Sequence, residues 1–202
     1  MIVAPRPGDG VLGCGGLICA ALERGVALRV VALTAGEGSH PGSTDYPPRA
    51  LGTVREHEQF AALRALGWKA PEIHRLRVPD GGIVAAPSQT RERVRELLKG
   101  SSGVFVTAPG TDAEHGAAAA LVDAHASAAP VFQYSVEPSS SREGRIELDI
   151  GMWRVLKRVA ISCHQTQLGE IVRDVETRRR FSEAVMERAL GGLETFWRVD
   201  RD

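Results

Sequence analysis

A chain of 202 residues supports one core and one domain, spanning 1–202. Its 25 Lys and Arg are matched by 25 Asp and Glu, so no net field draws in nucleic acid or an anionic membrane, and a small neutral or mixed-charge ligand is the expected partner. No apolar run reaches the ~20 residues of a membrane span, Met1 leads into a strand pattern rather than a signal segment, and Cys14, Cys19 and Cys163 are too scattered for a disulfide framework or zinc knuckle, which together predict a cytoplasmic protein.

In chain order, "MIVAP", "VALRVVALT", "IHRLRVP", "GVFVTAP" and "PVFQYSV" are short, rich in β-branched residues and bounded by Pro or Gly, as buried strands are. Between them "LICAALERG", "RALGTVREHEQFAALRALG", "SQTRERVRELLKG" and "HGAAAALVDAHASA" space apolar residues as helices do, with Gly25, Gly67 and Gly100 as C-terminal stops. The alternation predicts an α/β fold: right-handed βαβ units making a mostly parallel sheet with helices on both faces, a Rossmann-like three-layer sandwich. After the fifth strand "RIELDI" reads as a strand, "MWRVLKRVAISCHQTQL" and "VETRRRFSEAVMERAL" as helices and "ETFWRV" as a last strand. This C-terminal α/β cap is expected to cover one edge of the sheet, leaving an edge strand and aromatic residues through which a homo-oligomer would form.

In such a sheet ligands bind where the loops after the strands converge. The loop "RPGDG" after the first strand contains Gly8-x-Gly10-x-x-Gly13, the spacing of a dinucleotide fingerprint. Pro5 and Pro7 flank Arg6, however, and force an extended turn before Gly8. A chain with 22 glycines also produces this spacing readily by chance. No GK[ST] follows, so a P-loop is excluded. Nucleotide binding is the weakest of the functional readings.

"VAPRPGDGVLGCGGLI", "VVALTAGEGSHP", the Arg55 to Gly67 pattern R-x-x-E-x-x-x-A-L-x-x-LG, "VPDGG", "TAPGTDAEHGAAA" and "CHQTQ" follow one another through nearly the whole chain. In order and spacing this series resembles the LmbE/PIG-L family of zinc-dependent N-acetylglucosaminide deacetylases. The resemblance implies a first loop A-H-P-D-D-E, in which the His and second Asp bind zinc and the first Asp is the general base. It also implies a later H-P-D-H that supplies a catalytic His and the third ligand. Aligned here, Arg6 stands at the first ligand, Gly8 at the base, Asp9 at the second ligand and Gly10 at the Glu. Asp112 stands at the catalytic His, Glu114 at the Asp and His115 at the third ligand.

Only Asp9 and His115 therefore match the family's metal ligands. Arg6 cannot ligate, because a guanidinium stays protonated and has no lone pair to offer. Loss of a general base typically costs roughly 10²- to 10⁴-fold in rate. A guanidinium beside Asp9 would put a fixed cation where the ion's charge would sit. The resemblance further implies catalytic roles for Asp112, Glu114 and His164, and substrate binding by Arg6, Arg55 and Asp80. The expectation is a deacetylase-fold protein of sugar or glycoconjugate metabolism whose zinc hydrolysis is lost or strongly weakened, with zinc as the only implied cofactor. The alternative is a working N-acetyl-sugar deacetylase with a rebuilt, carboxylate-rich site, in which Asp9, His115 and Asp112 or Glu114 hold the metal and Asp112 or Glu114 acts as base.

Each residue also has a plainer reading. Asp9 and Asp112 suit helix N-caps, with Glu114 in a first helical turn. His115 suits a capping or solvated position, His40 a loop, and His57 and His125 amphipathic helix faces. "RRRFSEAVMER" reads as a solvated helix face, and Trp153 and Trp197 as core or interface anchors.

Overall fold

The computed structural model describes residues 1–110, 112–126, 129–137 and 144–200. Seven strands form one sheet in the order β3-β2-β1-β4-β5-β7-β6. Strands β1 (Ile2–Ala4), β2 (Val30–Thr34), β3 (Ile73–Val78), β4 (Val104–Thr107) and β5 (Val131–Tyr134) are parallel. Strands β6 (Arg145–Asp149) and β7 (Leu193–Arg198) add an antiparallel edge beside β5. Six lie within the runs that the sequence pattern marks as strands, and β7 starts one residue before its run.

The helices are α1 (Asp9–Glu23), α2 (Pro48–Ala65), α3 (Ser88–Leu98), α4 (Ala113–His125), α5 (Arg154–Ser162), the single turn α6 (Gln165–Leu168) and α7 (Glu183–Ala189). Because successive strand residues point to opposite faces, neighbours in one strand feed two cores. Ile2 and Val30 pack with Val11, Leu63 and Ile161 of α1, α2 and α5. Val3 and Val31 pack with Val94, Leu97, Leu121 and Val122 of α3 and α4. The result is the expected three layers. No described helix is long and apolar enough to cross a membrane.

Helix α1 begins eight residues before the pattern "LICAALERG". Each interior glycine costs a helix about 1 kcal/mol relative to Ala, and Gly10, Gly13, Gly15 and Gly16 hide the start from propensity. Tertiary packing offsets that cost. A Cβ on Gly13 would lie 2.1 Å from Tyr134 Cδ2, and one on Gly16 would lie 2.1 Å from Ile150 Cγ2, so only glycine lets the helix approach this closely. The buried Glu194 carboxylate of β7 accepts from the N–H groups of Gly16 (2.7 Å) and Leu17 (2.9 Å) and from Lys157 Nζ (2.7 Å), pinning the last strand to α1. The fingerprint spacing is thus a packing device, and at Gly13 a tyrosine ring occupies the approach.

The C-terminal helices are shorter than their patterns. The run 152–168 breaks at His164, because Thr166 gives its N–H (2.7 Å) and hydroxyl (2.6 Å) to Glu58 of α2. Only Glu183–Ala189 of the run 175–190 is helical, with the Ser182 hydroxyl accepting from Val185 N at 3.3 Å as its cap. Residues 169–182 form instead an irregular strap laid over the loop after β2. Arg179 N donates to Ser39 O (2.7 Å), and Asp174 accepts from Ser43 Oγ (2.8 Å) and Thr44 N (2.7 Å). The end of the helix patterned over 115–128 and the serine-rich tract 138–143 lie outside the described residues.

Candidate functional site

Strand order reverses between β1 and β4, so the loops that follow these two strands part and leave a crevice at their carboxyl ends. Pro5 O accepts from Thr34 N (3.0 Å) and Thr34 Oγ1 (2.8 Å), which fixes the first loop to β2 and turns Arg6 inward. Arg6 is buried. Its Nε donates to Asp80 Oδ1 (3.0 Å), from the loop after β3. Its Nη1 and Nη2 donate to Asp112 Oδ2 (2.6 Å) and Oδ1 (3.2 Å), from the loop after β4. One guanidinium therefore ties three strand-end loops together through a bidentate pair and a single bond, the geometry that suits Arg better than Lys.

The expectation that this cation would sit against Asp9 is corrected here. Asp9 accepts from the backbone N of Arg6 (2.8 Å) and not from its guanidinium, and its Oδ2 lies 3.6 Å from His115 Nε2, an ion-pair contact longer than a hydrogen bond. Nor is Asp9 an N-cap; Gly8 holds that position and Asp9 is the first residue of α1. Asp112 is the N-cap of α4, accepting from Glu114 N at 2.9 Å.

The electrostatics follow from these contacts. Burial works against charge on Arg6, but Asp112, Asp9 and Asp80 outweigh it and hold the guanidinium protonated. Burial would raise the Asp9 and Asp112 carboxyls, yet His115 and Arg6 hold Asp9 below the usual carboxylate range, and Arg6 does the same for Asp112. Burial would lower His115, but Asp9 and Asp112 keep it above the ordinary imidazole value.

A cavity of about 390 Å³ opens over this cluster, lined by Arg6, Asp9, Leu12, Arg55, Asp112, His115, Val136, Glu137, Gln167, Arg179, Arg180, Phe181, Ser182 and Val185. Five of the eight site residues expected from the sequence thus share one cavity: Arg6, Asp9, Arg55, Asp112 and His115. Asp80 lies beneath it as a partner of Arg6. Glu114 does not line it; its Oε1 accepts from Ile83 N at 3.3 Å. His164 does not line it either. It is fully buried with both ring nitrogens unpartnered, and burial and Arg55 push it down to about 3, so the ring is neutral.

Phe181 separates His164 from the cavity. The two rings meet edge to face with centroids 5.9 Å apart. A Cβ on Gly8 would lie 2.7 Å from Phe181 Cζ, so the phenyl ring fills the space that a side chain at position 8 would need. Phe181, Arg179 and Arg180 carry no site signal in the sequence, and Gln167 lies within the motif "CHQTQ", of which only His164 is expected at the site. "RRRFS" looked like a solvated helix face, and only the irregular path of the strap brings it over the crevice. Trp153 and Trp197 are buried, as expected.

A crevice at the switch point of a doubly wound sheet, walled by strand-end loops and floored by paired charges, defines a Rossmann-like α/β protein with a cavity where such sheets bind their ligands. The profile of the PIG-L family, GlcNAc-PI de-N-acetylase, matches residues 1–126, and the chain belongs to that family. Among solved structures, 4-carboxy-2-hydroxymuconate hydratase GalB from Pseudomonas putida KT2440 superposes with TM-score 0.76 at 18% identity over 100% of this chain and 95% of that one. The zinc-inhibited form of teicoplanin deacetylase Orf2 gives 0.70 at 20% over 100% and 97%. N,N'-diacetylchitobiose deacetylase from Pyrococcus horikoshii gives 0.68 at 19% over 98% and 82%. None of the curated proteins compared matches the chain.

The zinc that the family implies does not fit the residues present. A catalytic zinc needs three protein ligands with lone pairs and an open position. Asp9 and His115 face each other, but the third corner holds the Arg6 guanidinium, and both oxygens of Asp112 are engaged by it. Among the described residues no group of three or more His, Cys, Asp or Glu is placed to hold a metal.

Proposed function

We propose that this chain is a ligand-binding member of the family, in which zinc-dependent amide hydrolysis is lost or strongly weakened and the cavity receives a sugar or glycoconjugate in the cytoplasm. The observation that carries this reading is Arg6, buried between Asp80 and Asp112 where the aligned motif has a metal ligand. Gly8, at the position of the base, adds to it: no carboxylate stands there to take a proton from water, and Phe181 occupies the space. The family and the deacetylases it resembles in fold support the sugar, and three free cysteines support the compartment.

The test is elemental analysis of protein purified without chelator or added metal, alongside hydrolysis assays on N-acetylglucosaminides. The expected result is far below one equivalent of metal and no chelator-sensitive turnover. Near-stoichiometric zinc with chelator-sensitive hydrolysis would establish a rebuilt site instead. The same assay on Arg6→His with Gly8→Asp should regain metal only when Phe181→Ala is added, because the ring stands in the way of the new aspartate.

A further inference from the structure

Arg6 and Lys157 each make an ion pair with a carboxylate, but two guanidinium groups on one wall of the cavity make none among the described residues. Arg55 is 1% exposed and lines the cavity. Its Nη1 donates to Gly36 O at 2.5 Å, its Nε has no partner, and no carboxylate lies within 4.0 Å among the described residues. Arg180 lines the same cavity, likewise without an ion pair among the described residues, its guanidinium laid against Gly169, where a Cβ would lie 2.3 Å from Arg180 Cζ. Beside them Gln167, 3% exposed, has an Nε2 without a partner. Asp80, Asp9 and Glu58 favour the charge on Arg55 from beyond ion-pair distance, but burial outweighs them and pushes the guanidinium down to about 10.

We infer that the ligand of this cavity carries an oxyanion, a carboxylate or a phosphate, held by Arg55 and Arg180 with Gln167 as a neutral donor. A sugar hydroxyl satisfies donors but leaves the buried Arg55 guanidinium without an ion pair; an oxyanion supplies both. Behind desolvation, Arg55, Arg178 and Arg180 all lower the affinity of His40 for a proton, and Asp174 opposes them. The inference rests on the cavity being the ligand site, and it narrows the sugar of that reading to an acidic one.

Titration calorimetry with glucuronate, glucose 6-phosphate, N-acetylglucosamine, malonate and inorganic phosphate separates these ideas. The acidic sugars are expected to bind at least about tenfold more tightly than N-acetylglucosamine, and Arg180→Ala to weaken them by about tenfold or more. Arg180 is exposed on the strap, so this variant is expected to melt as the parent does; Arg93→Ala on α3 is the control and should bind as the parent does. The tighter of the two acidic sugars identifies carboxylate or phosphate. N-acetylglucosamine binding as well as the acids overturns the oxyanion while leaving the sugar reading intact. Malonate or phosphate binding without any sugar does the reverse. Undiminished affinity in Arg180→Ala overturns the assigned seat, and no binding by any probe overturns both.

Discussion

Helix α1 meets an aromatic ring at two of its glycines, and the two meetings differ in kind. At Gly13 the ring is Tyr134, fully buried in β5, its hydroxyl donating to Val3 O at 3.0 Å. At Gly8 the ring is Phe181, half-buried on a strap that is held by backbone bonds to Ser39 and Gln167 and by the Asp174 carboxylate on the loop after β2. The first is a fixed part of the core and sets how near the helix lies to the sheet. The second meets the helix through the far end of a side chain that can swing, and it sets what the cavity holds. The same residue type therefore serves packing at one position and the site at another, and the rigidity of the neighbour decides which.

Matched substitutions break or sharpen this comparison. Gly13→Ala should destabilise the protein by about 3 kcal/mol, since Cβ would fall 2.1 Å from a ring with nowhere to go. Urea melts measure it, and a loss below ~1 kcal/mol would show that the helix can back away. The middle effect belongs to the ring at Gly8. His164 in the folded chain is protonated only near pH 3, whereas an unfolded imidazole takes its proton near 6.5. Between these values the unfolded state holds the extra proton, so stability falls as pH falls, by about 1.4 kcal/mol per unit from this residue. Phe181→Ala admits water to the ring, and the slope between pH 6.5 and 4 should become shallower while an NMR titration of His164 moves toward the ordinary value. An unchanged slope would mean that the ring does not seal it. Smallest of the three, Gly8→Ala should stay within about 1 kcal/mol of the parent, because displacing Phe181 Cζ from 2.7 Å is offset by the lower entropy of the unfolded chain at a φ of −82°.

Much of the site was legible because its residues sit at strand ends, where local sequence and topology agree. Arg6, Asp9, Asp112 and His115 follow β1 and β4, and the alternation of strands and helices already placed those loops side by side. Arg55 was legible through its family pattern on α2. The misreadings concern contacts between distant segments. Arg6 was expected against Asp9, three residues away, but a long side chain reached Asp80 and Asp112 instead, carboxylates with the geometry to meet its fork. Glu114 was expected in the site, yet in the first turn of α4 it serves Ile83 N. His164 ended behind Phe181, a residue with no mark in the sequence because the helix pattern over 175–190 is good locally and is overruled by the bonds of Asp174 and Arg179 to the loop after β2.

The sequence by itself determined the seven strands, the three layers and the departure of the metal motif at Arg6 and Gly8, because period-two burial and the identity of a ligand atom are local properties. Only the tertiary structure decided how the glycines of α1 are spent, which carboxylates hold Arg6, and that Phe181, Arg180 and Gln167 close the cavity. Those outcomes depend on which side chains from distant parts of the chain arrive in the same few ångströms, and on burial, which makes an unmatched charge or an occupied Cβ position too costly to leave unanswered.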